Sequence, residues 1–298
     1  MSLIGFINSR WGPAAGIALA RLLPRKSAER LAERLAARIA GQHDSPLIQA
    51  VRANQAVIRG LPPDDPALDL AVEQVIQGTA SSYLSLFRVM RKGHEELRRA
   101  ATMEPALEAE ALAVLREGRG LIFAGTHTAG FDHLLLMLGG LDYPVQVLSY
   151  AQPTGSYNAQ NRIRLHFGLR LTPIAFGSLR TAIGHLRNGG MVVTAVDRAD
   201  PAGELMEFCG KPARLPVGHA RLAWRTGAPV LVGCPRSEGE DRYQALYGGR
   251  LEPDRSKDEM AASRELAQSA IRLMEGFIRR RPQEWHMFHP VWPPAGAA

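Results

Sequence analysis

From Gly118-Arg119-Gly120 onward, short apolar runs alternate with stretches of helical periodicity. That alternation leaves few folds open. Leu121 to Gly125, Val145 to Tyr150, Leu169 to Ala175, Met191 to Val196, Pro229 to Cys234 and Tyr243 to Leu251 read as strands. Helical patterns cover 131–139, 157–167, 178–188 and 217–226, and Lys257 to Arg281 forms a long amphipathic helix. Strands separated by helices predict an α/β fold with a mainly parallel central sheet flanked by helices.

The first 118 residues read differently, as a helical N-terminal layer. Ser27 is placed to cap a helix in which Leu31, Leu35 and Ile39 recur at helical spacing, with Gly41 as its stop. Arg30, Arg34 and Arg38 recur on the same helix. Before it stand Trp11-Gly12-Pro13, Ile17, Leu19, Leu22 and Leu23, then Pro24-Arg25-Lys26. Further helices fit Leu47 to Arg59, Ala67 to Arg91 and Pro105 to Glu117, with a break at Pro62-Pro63-Asp64-Asp65-Pro66. With no repeat and no clear linker, one domain over 1–298 is the simplest account: 1–118 the helical layer, 119–298 the α/β core.

The formal charge of +7 and pI near 9.8 suit an anionic partner such as a phospholipid surface, a phosphate-bearing ligand or an acidic protein. Nucleic acid is disfavoured, because the basic residues are not interleaved with aromatics and no known module is present. Cys209 and Cys234 have neither metal spacing nor the numbers for a disulfide framework, which fits a reducing compartment. There is no signal-like leader and no run of about 18 apolar residues. The expectation is a protein on the cytoplasmic side that touches a membrane without spanning it.

One string reads as chemistry: Gly125-Thr126-His127-Thr128-Ala129-Gly130-Phe131-Asp132, just after a strand. Histidine suits proton transfer near neutrality, and a carboxylate can hold its tautomer. On an ideal helix, positions five apart diverge by about 140°, so His127 and Asp132 meet only if the backbone turns at Gly130. A second segment, Val196-Asp197-Arg198-Ala199-Asp200, also follows a strand. There Arg198 can grip a phosphate in bidentate fashion or close an Asp–Arg turn. Arg162, Arg164 and Gly168 offer another basic grip or a solvated helix face. Glu207 to Ala220 reads as a loop with Pro216 and Gly218 opening a helix. The tail Trp285 to Pro293 reads as packing across a sheet edge. Its His286 and His289 lack a third ligand, so no metal is expected. The absence of a G-x-S-x-G elbow removes the usual serine-hydrolase signature.

In order, His127 to Asp132, Asp197-Arg198, Phe208 to Gly218, Ala223 to Val230 and Trp285 to Pro290 make a set that resembles the bacterial lipid A biosynthesis lauroyl/myristoyl acyltransferases, a group that includes the phosphatidylinositol mannoside acyltransferases. The resemblance implies a glycerol-3-phosphate acyltransferase-like fold. It also implies acyl transfer from an acyl thioester, carried by coenzyme A or acyl carrier protein, to a hydroxyl of a membrane glycolipid. No cofactor beyond that donor is implied. His127 would be the base and Asp132 its orienting acid. Arg164 and Arg198 would lie near donor or acceptor phosphates, and Glu207 would match an acidic family position. The implied partners are the glycolipid acceptor, the thioester donor or its carrier protein, and an anionic membrane surface at the inner membrane. The chain departs from the family's pattern at Cys209, where a second phenylalanine is common, and at Ala151-Gln152-Pro153, where many members carry an acid. The amphipathic N-terminal segment fits interfacial attachment in place of a spanning helix. The alternative is an inactive lipid-binding module on the same fold.

Overall fold

The computed structural model describes residues 5, 9, 11–141, 143–149, 155–174 and 177–292. Ala151-Gln152-Pro153 and the ends of two expected strands, Tyr150 and Ala175, lie outside them. Helices α1 (Trp11–Leu22), α2 (Arg25–Ala40), α3 (Pro46–Arg59), α4 (Ala67–Met90) and α5 (His94–Ala100) form the N-terminal layer. The core follows as β1 (Ala101–Met103), α6 (Pro105–Arg116), β2 (Leu121–Gly125), α7 (Phe131–Gly139), β3 (Val145–Ser149), α8 (Gly155–His166), β4 (Arg170–Pro173), α9 (Ser178–Arg187) and β5 (Met191–Ala195). It ends with β6 (Glu204–Phe208), β7 (Lys211–Leu215), α10 (Gly218–Thr226), β8 (Val230–Gly239), β9 (Arg242–Leu251) and α11 (Glu259–Arg280).

Seven strands make one sheet in the order β1-β9-β8-β2-β5-β3-β4, parallel except for the β8–β9 pair. The expected α/β architecture is therefore present. Alternate residues of the central strands feed two cores. Ile122, Ala124, Val192, Val230 and Val232 pack with residues of α10 and α11, including Leu222, Ile271 and Met274. Leu121, Phe123, Val193 and Leu231 face Leu107 of α6 and Leu134 to Leu138 of α7.

Four local expectations fail. Helix α2 begins at Arg25, where the Pro24 carbonyl accepts from the N–H groups of Ser27 and Ala28, so Ser27 lies inside the helix and does not cap it. The buried stripe of α2 is Ala28, Ala32, Ala36, Ile39 and Ala40, while Leu31 is exposed. Small residues let α2 lie close against α4. Glu207 to Ala220, read as a loop, instead carries the turn and second strand of the antiparallel β6–β7 hairpin, turned by Cys209 (φ +54°) and Gly210 (φ +76°), the left-handed pair that a two-residue hairpin turn uses. Helix α11 begins at Glu259, two residues later than expected, because the Asp258 carboxylate caps it by accepting from the N–H groups of Met260 and Ala261.

Candidate active site

Strands β2 and β5 are parallel neighbours, with Gly125 opposite Ala195. Their C-terminal ends therefore emerge side by side, where ligands gather in open α/β sheets. His127 follows β2 and Asp197 follows β5. The Nδ1 of His127 lies 2.7 Å from Oδ1 of Asp197. The backbone N–H of His127 donates to Oδ2 at 2.8 Å, and the indole N–H of Trp285 donates to that oxygen at 2.7 Å. Asp197 is fully buried, whereas the His127 side chain keeps about a third of its surface. Burial alone would raise the Asp197 pKa. The charge of His127 and the three donors outweigh it and hold the carboxyl below the usual aspartate value. An ionised carboxylate only accepts, so Nδ1 carries a proton, and in the neutral ring the lone pair is left on Nε2.

The loop that presents His127 is tied at both ends. Thr126 and Thr128 hydroxyls are 3.0 Å apart, and Thr128 donates to the carbonyl of Pro235 at 2.5 Å. Gly130 turns the chain into α7 with φ +87°, and a Cβ there would stand 2.4 Å from the Tyr243 ring, so only glycine fits.

The expected pairing of His127 with Asp132 is not the one the structure makes: His127 meets Asp197, and Asp132 meets Arg164. Asp132 sits in the first turn of α7, where its Oδ1 accepts from Nε of Arg164 at 2.9 Å and from Nη2 at 2.6 Å. The turn at Gly130 sends the helix toward α8, and the five-residue offset carries Asp132 to that side. The Nε and Nη2 donors of Arg164 are therefore turned to Asp132. Arg164 is buried, its Nη1 donates to Asn161 at 3.2 Å, and its guanidinium lies 5.4 Å from the centre of the Tyr157 ring. Burial would lower its pKa, but Asp132 more than compensates and the pKa is raised.

Behind the histidine lies a small apolar hollow of about 20 Å³ between the sheet and α7. Phe131 stands between the two: its ring centre is 5.5 Å from that of His127, and it lines the hollow with Phe123, Leu134, Val193 and Gly233.

The family model for the bacterial lipid A biosynthesis acyltransferases matches residues 6–293. The chain belongs to that family. It is accordingly an acyltransferase. The chain is 27% identical over 294 residues to the phosphatidylinositol mannoside acyltransferase of Mycobacterium tuberculosis (strain CDC 1551 / Oshkosh), covering 95% of this chain and 88% of the relative. It is 25% identical over 287 residues to the protein of the same name from Mycolicibacterium smegmatis (strain ATCC 700084 / mc(2)155), covering 94% and 90%.

Within this acyltransferase the other expected site residues fall in different places. Arg198, next to Asp197, is half-buried. Burial first, then the charge of Arg198, lowers the His289 pKa. Glu207 is exposed on β6, and its backbone N–H and carbonyl bond the Gln268 side chain of α11 at 2.9 and 2.8 Å. The next residue, Phe208, is buried against Trp285. Strand alternation therefore turns Glu207 the other way, out of the histidine's surroundings. The tail does not pack across a sheet edge. Trp285 forms an isolated antiparallel bridge with Thr128, over the strand ends. Its link to Asp197 carries no short-range signal, since 88 residues separate the two. Among the described residues, no group of three or more His, Cys, Asp and Glu side chains is placed to hold a metal, and no helix is long and apolar enough to cross a membrane.

Proposed function

We propose that the chain transfers a fatty acyl group from an acyl thioester to a hydroxyl of a membrane glycolipid, with His127 as general base and Asp197 as its orienting acid. The observation that carries this reading is the 2.7 Å contact between His127 Nδ1 and a buried, ionised Asp197, at the edge of an apolar hollow. Nε2 takes the proton of the acceptor hydroxyl as its oxygen attacks the thioester carbonyl. Asp197 stabilises the imidazolium. The thiolate leaves and recovers that proton. The hollow as it stands holds no more than a water-sized group, so the acyl chain enters between the sheet and α7 only as Phe131 and the α7 leucines move apart, with its carbonyl beside His127. No covalent acyl-enzyme is required.

The relatives' names point to a phosphorylated mannolipid as the kind of acceptor, and coenzyme A or acyl carrier protein is the donor's carrier. Attachment at the cytoplasmic face of the inner membrane is supported by the N-terminal layer. Trp11 and Leu22 are 55% and 76% exposed. Eleven positions apart, they fall within about 20° of each other around α1. Exposed Arg21 and Lys26 flank Leu22 in sequence, a pairing of apolar anchor with basic charge that suits an anionic bilayer.

The test is acyl transfer by the purified chain from coenzyme A- and carrier protein-linked thioesters to extracted native glycolipids, read by mass spectrometry. His127→Ala should lower transfer about 10²–10⁴-fold with the fold intact. A variant that turns over normally defeats the proposal. A wild-type chain that binds lipid but transfers nothing favours the inactive lipid-binding module.

A further inference from the structure

The C-terminal segment is built into the histidine's surroundings more closely than packing requires. The Glu284 carbonyl accepts from Ala129 N–H at 2.9 Å, and His286 N–H donates to the His127 carbonyl at 2.8 Å. Between them Trp285 is 1% exposed and points its indole N–H at Asp197. Its ring is held edge-on by Phe208, with centres 5.9 Å apart, and lies 6.0 Å from Trp292. The N-terminal layer holds the segment from the other side. Buried Asn54 of α3 donates to the carbonyls of Met287 and His289 and accepts from Val291 N–H. Its neighbour Gln55 donates to the Pro282 carbonyl at 2.8 Å.

These contacts divide the two oxygens of Asp197. Oδ2 is occupied by Trp285 and the His127 backbone, and Oδ1 alone faces the imidazole. A carboxylate with a free second oxygen can rotate about its terminal bond, which is a broad torsion. One held by both a buried indole N–H at 2.7 Å and the His127 amide at 2.8 Å cannot, and the indole is the side chain of that pair. We infer that Trp285 is a positioning residue of the acyl transfer: its indole N–H fixes Asp197 so that one oxygen always meets His127 Nδ1, and α3 holds Trp285 in place through the C-terminal segment. This rests on His127 and Asp197 acting as proposed above.

Trp285→Phe keeps an aromatic ring and removes the N–H. In the transfer assay above, kcat should fall about tenfold, the scale of a lost hydrogen bond to a charged group, with KM for the thioester little changed. Combined with Asp197→Asn, the substitution should cost less than a further twofold, because the indole then has no carboxylate to orient. The Nδ1 proton resonance of His127, assigned by its loss in His127→Gln, should shift in Trp285→Phe. A single variant within twofold of wild type, an unmoved resonance, or a tenfold loss that repeats in full on Asp197→Asn would overturn the inference. If the phenylalanine variant does not fold, 3-benzothienylalanine at position 285, which keeps the bicyclic shape without the N–H, takes its place. An unchanged rate in His127→Ala would instead defeat the underlying reading, so the two failures are separable.

Discussion

Arg164 donates two hydrogen bonds to a single oxygen of Asp132, through Nε at 2.9 Å and Nη2 at 2.6 Å. Both side chains are largely buried, with 7% and 16% of their surface exposed. The pair joins α7 to α8 and leaves the His127 ring to Asp197. The two acids near the histidine therefore have different partners, and substitution tests whether their roles differ too.

Asp132→Asn removes one member of a buried pair and strands the other charge. Such losses cost roughly 3–5 kcal/mol, which for a chain of this size lowers the melting temperature by about 6 °C or more. Differential scanning calorimetry measures this. Arg164→Met in the same background should recover part of the loss, since no buried charge then remains.

Asp197→Asn should act mainly on rate. The amide cannot stabilise the imidazolium and favours the wrong tautomer, so kcat should fall about 10²–10⁴-fold. Transfer assays at a temperature where both variants are folded should rank Asp197→Asn well below Asp132→Asn. The reverse order would restore Asp132 as the orienting acid.

Gly233 leaves room for the Phe123 ring: a Cβ there would lie 2.3 Å from Phe123 Cζ and 3.3 Å from a Leu107 methyl. Gly233→Val must therefore push that ring into the hollow. Turnover of long-chain thioesters should fall by roughly tenfold or more relative to short-chain ones, measured as a ratio of kcat/KM values. An unchanged ratio would place the acyl chain elsewhere.

Replacing Trp11, Leu22 and Leu23 by serine removes exposed apolar surface without disturbing buried Pro13 and Ala20, through which α1 packs. Each such side chain contributes up to about 1.5–3 kcal/mol when it leaves water. Co-sedimentation with anionic phospholipid vesicles should weaken more than tenfold, while transfer to detergent-dispersed acceptor should stay within about threefold.

Acid should unfold the chain through its buried histidines. Burial lowers the pKa of His133 to about 3 and that of His219 to about 4, against about 6.5 in the unfolded chain. Below 6.5 the unfolded state takes up protons that the native state refuses, so stability is full above that pH and is lost as it falls toward 4. Urea midpoints at pH 7.5, 6 and 5 should decrease in that order. His133→Gln should flatten the trend.

Much of this molecule is legible locally. The largely apolar runs 121–125 and 191–195 announce their strands because a strand buried on both faces favours apolar residues at nearly every position. Gly130 announces the turn into α7. The α2 stripe misleads because leucines usually point inward, yet close helix packing chose Ala28, Ala32 and Ala36 and left Leu31 in solvent. The β6–β7 hairpin is obscured by exposed Leu205 and by Pro212 within a strand, both of which break the expected alternation.

The sequence by itself determined the α/β layering, the loop that carries His127 and a second polar segment at another strand end. Those properties depend on periodicity and turn chemistry within a few residues. Which acid meets the imidazole was decided only by the tertiary structure. Strand order sets β5 against β2, bringing together residues 70 positions apart, and the C-terminal segment closes over them from 88 positions away. Asp132, the nearer acid in the chain, is carried off by the first turn of its own helix.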